Sequence, residues 1–406
     1  MSTDLTQTLG FPPVRAVPPP EMRLIAALLR KIHHGSLHVE FPDGRRERFG
    51  GAAYPLTLHI RDWRVCKAAL TSGDIGFAES YIAGHWETDD LPGLLALFVR
   101  NRTAMEELIY GRWWGRLLYR LRHLANRNSK AGSRRNIHAH YDIGNAFYAL
   151  WLDPSMSYSS ALFGAEDLTL QEAQAAKYRR VLKQLQLPDG AARILEIGCG
   201  WGGFAEIAAR EAAAHVTGLT LSGEQLGFAQ ERLARACLAA QADLRLQDYR
   251  DVHGTFDAIA SIEMFEAVGE AYWPGYFACL ARNLKRGGRA CIQTITIDDA
   301  LFARYRKGSD FIQQTIFPGG MLPSPAVFRR HAERHGLRIV DAFAFGPDYA
   351  RTLAAWRAAF YANIEHVRAQ GFDERFVRTW DFYLAYCEAG FRAGSIDVVQ
   401  FTLERP

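Results

Sequence analysis

The sequence predicts an α/β protein in which a doubly wound, mostly parallel sheet fills roughly the C-terminal two thirds of the chain and a smaller α+β unit precedes it. Three observations carry this. Apolar or β-branched runs at 193–197, 214–219, 256–261 and 290–297 are separated by stretches of helical spacing, the rhythm of βαβ units. The first of these runs ends in a glycine-rich turn that opens directly into the helix-forming stretch 204–210. Upstream, Leu37, Val39 and Phe41, then Leu56, Leu58 and Ile60, alternate with polar residues as half-buried strands do. A chain of 406 residues, 49% hydrophobic, is long enough for two cores.

Residues 1–20 hold Pro12, Pro13, Pro18, Pro19 and Pro20 with little apolar content and read as a disordered lead-in. From Met22 to Ile32 the spacing predicts a helix, and Pro42-Asp43-Gly44 closes the first alternating strand with a turn. The small unit runs from 21 to 100. Within it, the run from Gly73 to Trp86 mixes glycines, aromatics and an acid and reads as a tightly packed turn between helices. The six cysteines are scattered without C-x-x-C spacing, which excludes a zinc ribbon or disulfide framework and points to reduced thiols. No run of about 18 apolar residues spans a membrane, and the opening residues lack an export-signal pattern, so a cytoplasmic location is expected.

The net charge of +4 is unevenly placed. Segment 101–135 holds nine Lys/Arg against Glu106 and Glu107, so the rest of the chain is slightly acidic. This argues for a local anionic partner and against nucleic acid. Arg112, Arg116 and Arg120 recur at i+4, Leu117, Leu118, Leu121 and Leu124 lie opposite, and Trp113, Trp114 and Tyr119 stand between. Such a linker helix can lie on an anionic membrane surface, or be a connector with a solvated basic face.

The glycine turn is the strongest single signal. Glu196 sits in the strand, and Gly198, Cys199, Gly200, Gly202 and Gly203 form a G-x-G-x-G-G turn whose spacing differs from the dinucleotide fingerprint. It resembles motif I of class I S-adenosylmethionine (SAM)-dependent methyltransferases. The second run ends in Thr220, Leu221, Ser222 and Gln225, where hydroxyls and a carboxamide can meet a ribose. Gln247, Asp248 and Tyr249 follow a third strand and suit an adenine edge.

Four further blocks narrow the class: 140–145 (HYDIGN), 156–163 (MSYSSALF), 261–269 (SIEMFEAVG) and 316–324 (IFPGGMLPS). They resemble the cyclopropane fatty acid synthase family, including the mycolic acid methyltransferases, from about residue 70 to the C-terminus. The resemblance implies a Rossmann-like catalytic domain over 136–406 and a lipid-binding role for the N-terminal unit. It also implies one-carbon transfer from SAM to the double bond of an unsaturated acyl chain in a membrane phospholipid, closing a cyclopropane after a carbocation loses its proton. In that family a bound bicarbonate is thought to take the proton. Its ligands map onto Ser160 where the pattern has Cys, Glu266, Gln293 where many members have His, the backbone at Ile295, and Tyr349. Tyr158 and Ser159 map beside the cofactor.

The two substitutions remove the imidazole, the one group there that ordinarily titrates near neutrality. A mid-chain methylene or methyl-branched product therefore stands beside the ring, as do a small-molecule C-methyltransferase and a non-catalytic lipid-binding protein. His138, His140 and Asp142 alternate without a convergent third ligand, so no metal is expected. A peripheral position on the inner face of the membrane is expected, and a homodimer would help a shallow basic surface hold it.

Overall fold

A computed structural model describes residues 17–103, 143–164 and 167–406. The lead-in up to residue 16, most of the basic segment, and His138, His140 and Asp142 lie outside the described residues. The chain divides into two compact units, residues 1–90 with 101–111, and residues 91–100 with 112–406.

In the smaller unit α1 (Pro20–Leu29) starts on a proline, whose fixed φ suits a first turn, and buries Met22, Ile25 and Leu29. Strands β1 (Ser36–Glu40), β2 (Arg46–Gly50), β3 (Leu56–Ile60) and β4 (Trp86–Glu87) form a sheet in the order β2-β1-β3-β4. The expected alternation holds: Leu37, Val39, Leu58 and Ile60 are buried. Helix α2 (Arg64–Ile82) breaks at Gly73, where φ is 62°, and Gly76 lies so close to the Ala68 carbonyl that an added Cβ would sit 2.2 Å from it. The glycine and aromatic run is thus a packed kink, with Trp86 donating from Nε1 to the Phe77 carbonyl at 2.9 Å.

The larger unit begins with α3 (Leu91–Arg100) and continues with α4 (Leu170–Leu185), closed at its start by a Thr169–Glu172 capping box. Then come β5 (Arg193–Ile197), α5 (Gly203–Ala212), β6 (His215–Thr220), α6 (Gly223–Arg235), β7 (Ala242–Leu246), β8 (Phe256–Ile262), α7 (Trp273–Asn283) and β9 (Leu284–Ile297). The remainder is α8 (Asp299–Tyr305), α9 (Pro325–Arg334), β10 (Arg338–Ala344), α10 (Gly346–Ala362), α11 (Ile364–Ala369), α12 (Glu374–Arg392) and β11 (Ile396–Glu404). The seven-stranded sheet has the order β10-β11-β9-β8-β5-β6-β7, and β11 runs antiparallel to both neighbours while the other pairings are parallel. The predicted doubly wound sheet is present.

One apolar layer joins Ile194, Val216 and Ala258 to Val181 and Phe204. Another joins Ile259, Ile292 and Phe401 to Phe277 and Phe328. Between β5 and β8 the strand order reverses, and a crevice at the carboxyl ends of strands is the usual ligand position in such sheets. Strand β5 ends at the glycine turn and β8 ends just before Glu263, so the topology brings these two segments together. No described helix is long and apolar enough to cross a membrane.

Candidate active site

Gly198 takes φ 85°, and a Cβ there would stand 2.9 Å from the Met264 side chain, so both conformation and space demand glycine. The amides of Gly198 and Cys199 donate to the Leu219 carbonyl at 3.0 and 2.8 Å, clamping the turn to the end of β6. Gly200, at φ 52°, faces open space. Gly202 and Gly203 start α5, and the Cys199 thiol is buried with its pKa pushed well up by desolvation.

Beside the turn, Glu196 is buried, and one of its carboxylate oxygens has no hydrogen-bond partner among the described residues. Burial raises its pKa well above the carboxylate range against the pull of Lys177 and Arg232. An orphaned acceptor next to an open glycine backbone fits the ammonium and carboxylate of SAM. Replacing Gly198 by Ala should weaken SAM binding about tenfold in calorimetry, the equivalent of the 1–2 kcal/mol that a left-handed residue costs.

The expected ribose and adenine groups hold their own turns as well. Thr220 donates to the Gln225 carboxamide oxygen at 3.0 Å and accepts from the Ser222 amide at 3.1 Å. Ser222 caps α6 by accepting from the Gln225 amide, and Leu221 lies between them partly exposed. Asp248 grips the Arg250 guanidinium at 2.8 and 2.6 Å, Gln247 donates to the Asp251 carbonyl, and Tyr249 packs on Tyr276. These residues stand at the ends of β6 and β7, on the same sheet edge as the glycine turn.

Glu263, which directly follows β8 with φ 50°, places its own carboxylate among three of the groups that the resemblance assigns to bicarbonate. Its Oε1 accepts from the Ser160 amide at 2.8 Å and from Gln293 Nε2 at 2.7 Å, and its Oε2 accepts from the Tyr349 hydroxyl at 2.5 Å. The Ser160 hydroxyl turns away to the Ala161 carbonyl. The physical reason is the sheet register: the Glu263 amide donates to the Gln293 carbonyl at 2.8 Å, which sets the two side chains side by side.

Glu266 and Ile295 form a separate pair. Glu266 Oε1 accepts from the Ile295 amide and from Thr294 Oγ1 at 2.9 Å, while Oε2 has no partner among the described residues.

Both carboxyls lie deep in the protein yet keep some accessible surface, as groups lining a cavity do. Desolvation raises both pKa values, that of Glu266 to about 8 with the nearby Glu263 as the second cause. Two close carboxyls do not readily ionise together. Glu263 accepts from three donors and Glu266 from two, so the ionised form has more support at Glu263.

Lys177 on α4 is fully buried and donates to Ser159 Oγ at 2.5 Å. Burial depresses its ammonium to about 7, opposed by Glu263, Asp153 and Glu196. Sequence reasoning passed over both Glu263 and Lys177. A carboxylate three residues before Glu266, and a lone lysine between Ala173 and Val181 on the apolar face of a helix, were the available signals.

Aromatic rings line the ground beside this centre. Tyr349 meets Trp356 with centroids 6.1 Å apart, and Trp356 meets Tyr158 at 5.4 Å. Tyr158 in turn shares a 2.7 Å hydrogen bond with the Tyr383 hydroxyl. The Cys387 thiol is half-buried and desolvation pushes its pKa far up, which argues against a thiolate there.

A parallel sheet with one reversed strand, a glycine turn with an acid at the switch point, and an aromatic wall facing carboxylates define a class I SAM-dependent methyltransferase. The family model described as mycolic acid cyclopropane synthetase matches residues 128–401, and the chain belongs to that family. Among its relatives is the tuberculostearic acid methyltransferase UfaA1 of Mycobacterium tuberculosis, 39% identical over 395 residues, which are 93% of this chain and 90% of that one. The cyclopropane-fatty-acyl-phospholipid synthase of Escherichia coli is 35% identical over 86% of this chain and 88% of its own. Among solved structures, mycolic acid cyclopropane synthase CmaA1 complexed with SAH and CTAB is 35% identical with a TM-score of 0.62, covering 66% of this chain and 97% of that one. The chain is accordingly an enzyme of SAM-dependent methyl or methylene transfer to lipids.

Proposed function

We propose that the substrate is an unsaturated acyl chain of a membrane phospholipid, and that Glu263, not a bound bicarbonate, receives the proton lost from the newly added carbon. The observation that carries this reading is the Glu263 carboxylate held by Ser160, Gln293 and Tyr349. SAM supplies an electrophilic methyl group when bound; Glu196, the turn 198–203 and Gln225 are the residues to hold it.

An alkene is a weak nucleophile, so orientation in a dry pocket must provide most of the rate. The faces of Tyr158, Trp356 and Tyr349 suit the carbocation that follows methyl addition. Proton loss to Glu263 then ends the reaction in one of two ways. If the C–H pair closes onto the neighbouring cationic carbon, a cyclopropane forms. If a hydride first shifts so that the cation sits on the methyl-bearing carbon, the same loss leaves a mid-chain methylene. The open product is the second reading, favoured by the likeness over nearly the whole chain to a protein named as a methyltransferase. Mass spectrometry of phospholipid after incubation with SAM decides: one added CH2 without a double bond supports the ring, and one with a double bond supports the open chain. No added carbon on any unsaturated phospholipid would sink both.

Glu263 has a raised pKa and acts as a base only when ionised, so its working fraction grows as pH rises through that value. The acid limb of the kcat profile should therefore lie above the ordinary glutamate range, read by SAH release between about pH 5 and 9. A limb at the ordinary glutamate value would remove Glu263 from the role. For the segment 101–135, the reading as a membrane contact predicts binding to anionic vesicles that weakens with salt and with Arg112, Arg116 and Arg120 changed to Ala.

A further inference from the structure

Behind Gln293 a chain of hydrogen bonds runs across the sheet to the protein surface. Gln293 Oε1 accepts from Gln400 Nε2 at 2.9 Å, and Gln400 Oε1 accepts from Arg180 Nη1 at 2.6 Å. Both glutamines are fully buried, and they face each other because β9 and β11 pair at these two residues. Arg180, on α4, is held in place by Asp341 Oδ2 on β10 at 2.8 Å and by the Phe343 ring, 4.1 Å from its guanidinium carbon.

We propose that Arg180 and Gln400 are positioning residues that set the direction of this chain, so that Gln293 always presents its NH2 to Glu263 and Oε1 of that carboxylate stays an acceptor. A guanidinium can only donate. It therefore fixes the Gln400 oxygen toward itself, which turns the Gln400 NH2 to Gln293 and the Gln293 NH2 to Glu263. A carboxamide alone could point either way, and with its oxygen toward Glu263 it would demand a protonated carboxyl there. With the chain in place, Oε1 is occupied by two donors, the Ser160 amide and Gln293, and the incoming proton is directed to Oε2 beside the Tyr349 hydroxyl.

Expressed in electrons, the C–H bond of the added carbon breaks, its pair forms the new C–C or C=C bond, and the proton goes to Oε2. That consequence rests on the reading of Glu263 as the base; the orienting role itself does not. The other charged or titratable groups facing Glu263 are Lys177 from α4, Glu266 from the segment after β8, and Tyr349 from α10. Lys177 in turn faces Asp153 and Glu196. None of these belongs to the glutamine chain, so the chain can be altered without touching them.

The test exchanges the outer ion pair. In Arg180→Glu/Asp341→Lys the total charge is kept while the donor at the head of the chain becomes an acceptor, and both amides are expected to reverse. The readout is an infrared pH titration of the Glu263 carboxyl stretch, identified by its loss in Glu263→Gln. The exchanged pair should raise the midpoint by about one pH unit, whereas Arg180→Lys, which still only donates, should keep the wild-type midpoint. The acid limb of kcat, followed as SAH release on monounsaturated phosphatidylglycerol vesicles, should move with it. Should the exchanged pair fold poorly, Arg180→Met removes the directing donor without adding charge and should raise the midpoint by a smaller amount. A midpoint unmoved in a variant of native melting temperature overturns the proposal. Full turnover in Glu263→Gln would instead overturn Glu263 as the base and leave the infrared result to judge the chain.

Discussion

Glu263→Gln is expected to lower kcat by about a thousandfold, the middle of the range for loss of a positioned base, with SAM affinity unchanged in calorimetry. The change keeps size and can keep the hydrogen bonds from Ser160 and Gln293, so what it removes is the proton acceptor. Glu266→Gln is the control. That carboxyl, with its pKa pushed up to about 8, is mostly protonated at neutral pH, and a carboxamide resembles a protonated carboxyl in shape and in having both a donor and an acceptor. Its loss should cost less than about tenfold. The reverse order of effects would take the proton-accepting role from Glu263 and point to Glu266, which the family resemblance names as a ligand of the bicarbonate base.

The second large effect concerns stability. Lys177→Met should destabilise the protein by about 3 kcal/mol, roughly 6–12 °C in Tm for a unit of this size. The fully buried ammonium faces Glu263, Asp153 and Glu196. Without it those carboxyls lose their internal counter-charge, and Glu196 is itself fully desolvated. Adding Glu196→Gln to Lys177→Met should recover part of the loss, because the carboxyl that Lys177 faces is then a neutral amide that needs no counter-charge. Differential scanning calorimetry of the four proteins measures this as a double-mutant cycle. If the losses simply add, Lys177 and Glu196 do not act on each other.

Much of the fold was legible in local pattern. The βαβ rhythm placed β5, β6, β8 and β9, and period-two alternation placed β1 and β3. Strands β10 and β11 were not read from the sequence. All of β10 is exposed or half-buried, so it offers little apolar signal, and the six consecutive residues 398–403 of β11 are buried, so its side chains do not alternate. The glycine turn was legible for a similar local reason, since Gly198 requires both a left-handed φ and the space that Met264 leaves.

The sequence by itself determined the class of enzyme and the donor, because those follow from short ordered motifs whose conformation is set within a few residues. Only the tertiary structure showed that the Glu263 carboxylate lies among Ser160, Gln293 and Tyr349, and what stands behind Gln293. Glu263 follows β8 directly, and Gln293, Gln400 and Arg180 come from β9, β11 and α4. Nothing in their spacing along the chain announces that they touch. The pairing of β8, β9 and β11 brings the first three together, burial removes water as an alternative partner, and the donor-only guanidinium at the far end settles which way each amide points.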